Sequence, residues 1–260
     1  MRLEYGSKGE FVLQLQVALR ETGLYKFPIN SLFDSSTLIA VKEFQKAANL
    51  SQDGVVGPMT WEALNNKTSV LGNKLMYLMI HCTASREGQE WTKGAIEETH
   101  MGPADIIGGV RYKGKTYPNR NALPQEFINN KPIRTMVGRG WSKCGYYKMV
   151  HLDGSTTVIN PVNENAVVEG FEVTFGALGF NNNCRHIVYV GGAEKVNWQI
   201  PKDTRTPEQT NTLIKEVFDT IKLHPKIKIL GHHQVANKAC PSFDVPSWLR
   251  DIDVPEENIF

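Results

Sequence analysis

The chain has 260 residues, with 29 Lys and Arg residues against 27 Asp and Glu residues, so its net charge is +2. Apolar residues make up 41% and charged residues 22% of it, as in ordinary globular proteins, which excludes a disordered or fibrous chain. A charge this close to zero gives no reason to expect nucleic acid or an acidic partner. The four cysteines are scattered, which argues against a disulfide framework and leaves a thiolate metal ligand as an option.

The longest purely apolar run covers only residues 75–80. A membrane-spanning helix needs about 20 such residues, so we expect no membrane span. The first six residues, MRLEYG, also lack the apolar region of a secretory signal peptide.

The first quarter of the chain predicts three short helices. The first covers Glu10 to Thr22, with apolar residues at helical spacing and Gly23 as its stop. The second follows Ser35 and Ser36, either of which can cap it. The third begins at Pro58, because the first helical position tolerates a missing N–H. Polar residues then indicate a boundary: a small all-α domain at 1–66, a linker at 67–73 and a larger domain at 74–260.

The three helices and their connections share one set of residues with a known module: Leu3, Gly6, Gly9, Val12, Leu15, Gln16, Leu19, Gly23, Thr37, Val41, Phe44, Gln45, the segment 53–58, Trp61 and Leu64. In the order and spacing of these residues the region resembles the peptidoglycan-binding type 1 module. A generic three-helix bundle and a helix-turn-helix DNA-binding domain are the alternatives; the second is disfavoured because no helix carries a cluster of Lys and Arg. One stretch departs from the family pattern, since residues 30–33 read Asn-Ser-Leu-Phe where the family has Asp-Gly.

Strands alternate with helices in the rest of the chain, so we predict an α/β domain with a mixed central sheet flanked by helices. An Asp-Gly turn at residues 153–154 predicts a hairpin. Thr206, Pro207 and Gln209 form a capping-box pattern that predicts a helix start. The predicted strands cover 75–81, 146–152, 156–159, 186–190 and 226–230, and the predicted helices begin at 92 and 207.

Three residues of the larger domain suggest a metal site. His232 ends a predicted strand and Cys240 lies eight residues later, so both side chains can reach one point. Imidazole and thiolate together suit Zn²⁺, and a catalytic zinc ion takes three protein ligands and leaves the fourth position to water. His81, at the end of another strand, is our choice for the third ligand. His233 is an alternative to His232, and Cys82 should face away from the metal by strand alternation.

This domain also resembles the zinc-dependent N-acetylmuramoyl-L-alanine amidases, most closely the phage enzymes related to the peptidoglycan recognition proteins. The resemblance implies that His81, His232 and Cys240 bind Zn²⁺ and that Tyr146 and Lys238 act in catalysis. Because recognition proteins that have lost catalysis typically lack the ligand cysteine, Cys240 implies an active enzyme. The resemblance covers about residues 75–250 and rests on segments 80–84, 140–141, 145–147, 153–154, 191–192, 206–209 and 232–244.

The two resemblances together imply an endolysin that hydrolyses the amide bond between N-acetylmuramic acid and L-alanine. Its partner would be bacterial peptidoglycan, and we expect a monomer made in the host cytoplasm that acts on the cell wall after release. Two alternatives stay open: a non-catalytic peptidoglycan-recognition protein, and a zinc peptidase that cuts within the stem peptide.

Two features depart from the amidase pattern. Residues 101–140 form a long insertion, for which we predict loops with one hairpin at 110–117; eight Lys or Arg and one Glu lie between residues 111 and 143. We interpret it as either a basic lid over an anionic polymer or a solvated insertion. In addition, no histidine precedes Gly179, where relatives often have one. The other histidines, among them His100 and His186, are expected to be structural.

Overall fold

The computed structural model describes residues 2–67 and 73–260, so most of the predicted linker lies outside the described residues. The α-helices are α1 (Glu10–Glu21), α2 (Ser35–Ala47), α3 (Pro58–Lys67), α4 (Lys93–Met101), α5 (Pro207–Leu223) and α6 (Val245–Asp251). The strands are β1 (Asn73–Lys74), β2 (Tyr77–Cys82), β3 (Ser85–Arg86), β4 (Ala104–Ile106), β5 (Gly109–Tyr112), β6 (Lys115–Tyr117), β7 (Phe127–Ile128), β8 (Lys131–Pro132), β9 (Lys148–Val150), β10 (Thr156–Val158), β11 (Val167–Val168), β12 (Cys184–Tyr189), β13 (Gly192–Ala193) and β14 (Lys228–Gly231). Short 3₁₀ helices cover Arg120–Ala122, Ile133–Thr135, His232–Gln234 and Glu256–Asn258.

Helices α1 to α3 share one buried core, as the sequence predicts. Helix α3 begins at Pro58, and Gly23 follows α1 in the left-handed region with φ of 78°. The expectation that Ser35 or Ser36 caps α2 is wrong. The side chain of Asp34 is the cap, because its extended backbone lets the carboxylate accept a hydrogen bond from the N–H of Thr37.

The stretch at residues 30–33, which departs from the family pattern, is held by the buried side chain of Gln16. Its Oε1 accepts hydrogen bonds from the N–H groups of Asn30 and Ser31 at 3.1 and 3.0 Å. Its Nε2 donates to Oδ1 of Asn30 at 2.8 Å and to the carbonyl of Leu32 at 2.9 Å. Because one buried amide satisfies several polar groups of the turn, the connection is ordered without the usual Asp-Gly pair.

The larger domain is built on a five-stranded sheet in the order β10-β9-β12-β2-β14. Strands β9, β12, β2 and β14 are parallel, and β10 pairs with β9 in an antiparallel hairpin around the predicted Asp-Gly turn. The capping box at Thr206 and Gln209 is also present and starts α5. The predicted fold class, a mixed α/β domain preceded by three helices, is therefore confirmed.

Different parts of the chain pack against the two faces of the sheet. Leu78, Ile80 and Cys82 of β2 belong to a core with α5 and α6. Met79, on the opposite face, packs in a cluster with Val17 of α1 and Phe180. The small helical module is therefore packed directly against the face of the sheet on which His81 also lies, since residues two apart in a strand share a face.

The insertion is more ordered than the sequence suggests. The predicted hairpin is present as β5 and β6, with β4 as a third strand, and the insertion has its own small buried cluster. Part of its positive charge is paired with carboxylates. Lys113 pairs with Glu126, and Arg120 pairs with Asp105. Of the two interpretations, these pairs favour a solvated insertion over a basic lid on an anionic polymer.

Among the helices in residues 2–67 and 73–260, none combines the length and apolar character that crossing a bilayer requires.

Candidate metal centre

The three predicted ligands come from three points at one end of the sheet. His81 is the fifth residue of β2 and is fully buried. His232 follows β14, and Cys240 lies in the loop after it. Since β2 and β14 are adjacent parallel strands, their carboxyl ends bring the two histidines to one edge of the sheet.

The donor atoms of these three side chains converge. The ligating atoms of His81, His232 and Cys240 all lie within 4.8 Å of one another. Sγ of Cys240 is 3.6 Å from Nδ1 of His81, and the centroids of the two imidazole rings are 4.6 Å apart. A single ion with bonds of about 2.0–2.3 Å to nitrogen and sulfur can be reached by donors at such separations. The geometry is compatible with a metal site.

His233, the alternative ligand, is not among the described residues whose donor atoms converge. The residues after β14 form a 3₁₀ turn, and the backbone N–H of His233 donates to the carbonyl of Cys240 at 2.7 Å. The turn thus gives the two neighbouring histidines different surroundings: the His232 ring lies beside His81, whereas the backbone of His233 holds the cysteine loop. Cys82 belongs to the core on the opposite face of the sheet, as strand alternation predicts, but its thiol also lies 3.6 Å from the hydroxyl of Ser242 in the cysteine loop.

His186 is the residue at this site that the sequence analysis missed. Its Nδ1 lies 3.0 Å from Nε2 of His81, and its side chain is fully buried in β12. If His81 uses Nδ1 toward the metal, Nε2 carries the proton and donates to His186. Such a contact fixes the ring and tautomer of a ligand histidine, a role that carboxylates and carbonyls more often fill.

Burial keeps the histidines of the site neutral. It lowers the pKa of His81 well below the ordinary value, and the nearby His232 and His186 lower it further. Burial, together with the charges of Lys238 and Arg139, lowers the pKa of His232 to about 4. Neutral imidazole is the form that binds a metal, so both rings are ready for coordination at neutral pH.

The thiol of Cys240 is protonated in the absence of a bound metal ion. Its hydrogen bonding with Cys82 and its burial raise the pKa of the thiol well above the usual value. The backbone N–H of Cys82 donates to Sγ at 3.3 Å, which is a contact that would also stabilise a thiolate. Metal binding at this site should therefore release a proton.

The candidate ligands lie beside a cleft of about 210 Å³, which we call the metal cleft. His232 and Cys240 line it, as do both predicted catalytic residues, Tyr146 and Lys238. The Tyr146 ring lies 5.1 Å from that of His81. Burial raises the pKa of its phenol, so it stays protonated and can donate a hydrogen bond. Arg139, the last cation of the insertion, also lines the cleft.

His100 is a second residue whose contribution to this site the sequence does not indicate. It is buried in the last turn of α4, and its Nδ1 accepts a hydrogen bond from the N–H of Gly145 at 3.1 Å. Its ring also lies 5.1 Å from that of Tyr146. His100 is neutral at the end of the helix, because burial and then Arg139 lower its pKa to about 3. A neutral His100 positions the loop that carries Tyr146.

The depressed pKa of His100 predicts a loss of stability in acid. The folded pKa of about 3 lies below the unfolded value, so the unfolded chain takes up a proton first as the pH falls. For His100→Asn, which keeps an acceptor near Nδ1, we expect the free energy of unfolding to fall about 2 kcal/mol less between pH 7 and pH 5 than for the wild type. Urea unfolding of the metal-free protein at both pH values measures this, and equal losses in the two proteins would contradict it.

Comparison with known proteins identifies a matching domain family and several relatives. Residues 8–64 match the family described as "Putative peptidoglycan binding domain". An endolysin of Enterobacteria phage K11 is 34% identical over 113 residues, which cover 43% of this chain and 68% of the relative. The chain belongs to the endolysin family. The endolysin of Escherichia phage T7 is 29% identical over 127 residues, covering 48% of this chain and 77% of that protein.

A solved structure is also similar over much of the chain. It is described as the endolysine N-acetylmuramoyl-L-alanine amidase LysCS from Clostridium intestinale URNW. The two chains are 19% identical, the match covers 72% of this chain and 88% of the other, and the TM-score is 0.43.

Proposed function

We propose that this endolysin is a zinc-dependent N-acetylmuramoyl-L-alanine amidase that cleaves peptidoglycan. The observation that carries the proposal is the convergence of His81, His232 and Cys240, whose donor atoms lie within 4.8 Å of one another beside an open cleft. Three protein donors at a cleft are what a catalytic metal requires, whereas a structural zinc site usually has four. The peptidoglycan-binding module and the endolysin relatives support the same class of substrate.

The donor set fits zinc in particular. Two neutral imidazoles and one thiol match the borderline-soft character of this ion, and no carboxylate belongs to the described cluster. Bound zinc would supply Lewis-acid catalysis, which makes water an effective nucleophile at neutral pH and polarises a carbonyl. The contact of His186 with His81 supports the same assignment, because ligand histidines are commonly held through their second nitrogen.

The side chains around the cluster account for the rest of the chemistry. Hydrolysis adds water to the amide carbon, breaks the C–N bond, and leaves a lactyl carboxylate and the amino group of alanine. Negative charge develops on the carbonyl oxygen in between, and the ammonium group of Lys238 can stabilise it. The protonated phenol of Tyr146 can donate a hydrogen bond to the same oxygen or to the nucleophile. Tyr146 therefore does not need to change its protonation state to bind substrate.

Mass spectrometry of the soluble products tests the proposal. Purified peptidoglycan is digested with the zinc-loaded protein, with a chelator-treated sample as control. We expect whole stem peptides that begin with a free L-alanine amino group, glycan without new reducing ends, and no digestion after chelation. Fragments cut between two amino acids of the stem would identify a peptidase instead, and tight wall binding without any product would identify a recognition protein.

A further inference from the structure

A second cleft, of about 580 Å³, lies between the helical module and the larger domain. Trp61 and Glu62 of α3 line one side, and Arg111 and Ser142 line the other. Trp141 and Phe175 line this cleft and the metal cleft alike. The two clefts are therefore neighbours with shared walls.

The module is held in place by buried contacts, so the second cleft is a feature of the folded chain. Val17 of α1 is 9% exposed and packs with Met79 and Phe180 of the larger domain. At Gly179, with φ of +85°, an added Cβ would lie 2.7 Å from the Gln14 side chain, so the two parts approach closely there. A tether that moved freely would leave such apolar surface exposed.

The two clefts differ in charge. Arg139 and Lys238 line the metal cleft, and no carboxylate lies among its described lining residues. In the second cleft one cation, Arg111, faces one anion, Glu62, so its net charge is close to zero. The metal cleft therefore favours an anionic ligand, and the second cleft favours a neutral one.

The second cleft also has the surface that sugars need. Two half-buried aromatic side chains, Trp141 and Phe175, line it beside the edge of Trp61, which is only 9% exposed. Aromatic rings pack against the apolar C–H faces of a pyranose ring. Glu62, Arg111 and Ser142 offer hydrogen-bond partners for hydroxyl and acetamido groups. An uncharged ligand with apolar faces and a polar rim fits such a lining.

We propose that the second cleft binds the glycan strand of peptidoglycan and that the stem peptide, with its carboxylates, lies in the metal cleft. The inference rests on the proposed function for its substrate. Because Trp141 and Phe175 line both clefts, the lactyl amide that joins sugar to peptide would lie near the shared wall. The helical module then builds part of the substrate site rather than acting only as a wall anchor.

Binding of a tetramer of N-acetylglucosamine, followed by calorimetry, tests this inference without any hydrolysis. This probe has sugar rings but no charge and no peptide. We expect Ser142→Tyr, which fills the cleft from an exposed position, to weaken its binding about tenfold or more. Ser51→Tyr adds the same ring to an exposed serine of the module outside the cleft lining and should bind as the wild type does.

A second pair of variants keeps the test valid if the tyrosine disturbs folding. Glu62→Ala removes an exposed cleft side chain and should weaken the binding of the tetramer, whereas Glu43→Ala, an exposed glutamate on α2, should not. Absence of binding to the wild type, or equal binding by all four variants, would overturn the inference. Failure of the amidase proposal would appear separately, as peptidoglycan products of the wrong kind.

Discussion

Replacing Cys240 by serine should abolish both metal binding and wall hydrolysis. The variant keeps the size of the side chain but loses the thiolate, and a serine hydroxyl stays protonated at neutral pH. Two imidazoles alone would hold zinc weakly, and the Lewis-acid contribution of several kcal/mol would disappear, so we expect the rate to fall about 10³-fold or more. Metal content after dialysis and the clearing of a cell-wall suspension measure the two effects.

A matched control is available in another buried thiol. Cys144 is 2% exposed, and burial raises its pKa to about 12. Cys144 packs beside Met101, with 3.7 Å between the two sulfur atoms, and it is not one of the three candidate metal ligands. Cys144→Ser should keep the metal and most of the activity. Full metal content and full activity in Cys240→Ser would remove the cysteine from the ligand set and the support for a three-donor zinc site.

The parts of this molecule that sequence predicts well are those with local physical causes. Pro58 starts a helix because its missing N–H costs nothing there, and Gly23 follows one because it tolerates a positive φ. The capping box at Thr206 satisfies exposed N–H groups through side chains three residues apart. Each signal involves only residues that are neighbours in the chain, so it can be recognised in the sequence without knowledge of the fold.

The parts that sequence does not predict depend on the register between distant segments. His186 reaches His81 only because β12 pairs with β2 in parallel, with His186 opposite Met79. The two histidines are 105 residues apart, and nothing in either local pattern indicates their contact. His100 likewise is neutral because the tertiary fold buries it, and nothing in its local sequence indicates that burial. The packing of Val17 on the sheet also follows from the tertiary fold alone.

These long-range contacts give the candidate site its electrostatic character. Four imidazoles, those of His81, His100, His186 and His232, are kept neutral by burial. The permanent charges at the cleft are therefore those of Arg139 and Lys238. A positively charged cleft stabilises the anion that forms when an amide is attacked more than it stabilises the neutral amide. Such differential stabilisation is the condition for catalysis.

Removing the Lys238 side chain should therefore slow the reaction and leave the metal in place. The side chain is exposed, and its local turn is held by a backbone hydrogen bond from the N–H of Lys238 to the carbonyl of Ala236 at 2.8 Å, which Lys238→Ala retains. We expect kcat to fall about 10²- to 10³-fold, the usual effect of losing one oxyanion partner, and KM to rise by a smaller factor because the cleft loses one of its two positive charges. Lys226→Ala, which removes an exposed lysine outside the cleft, should match the wild type. Metal loss in Lys238→Ala would show that the lysine holds the cysteine loop in place. A higher KM at constant kcat would show that the lysine binds the substrate in its ground state. A fall in kcat shows that its charge stabilises the transition state.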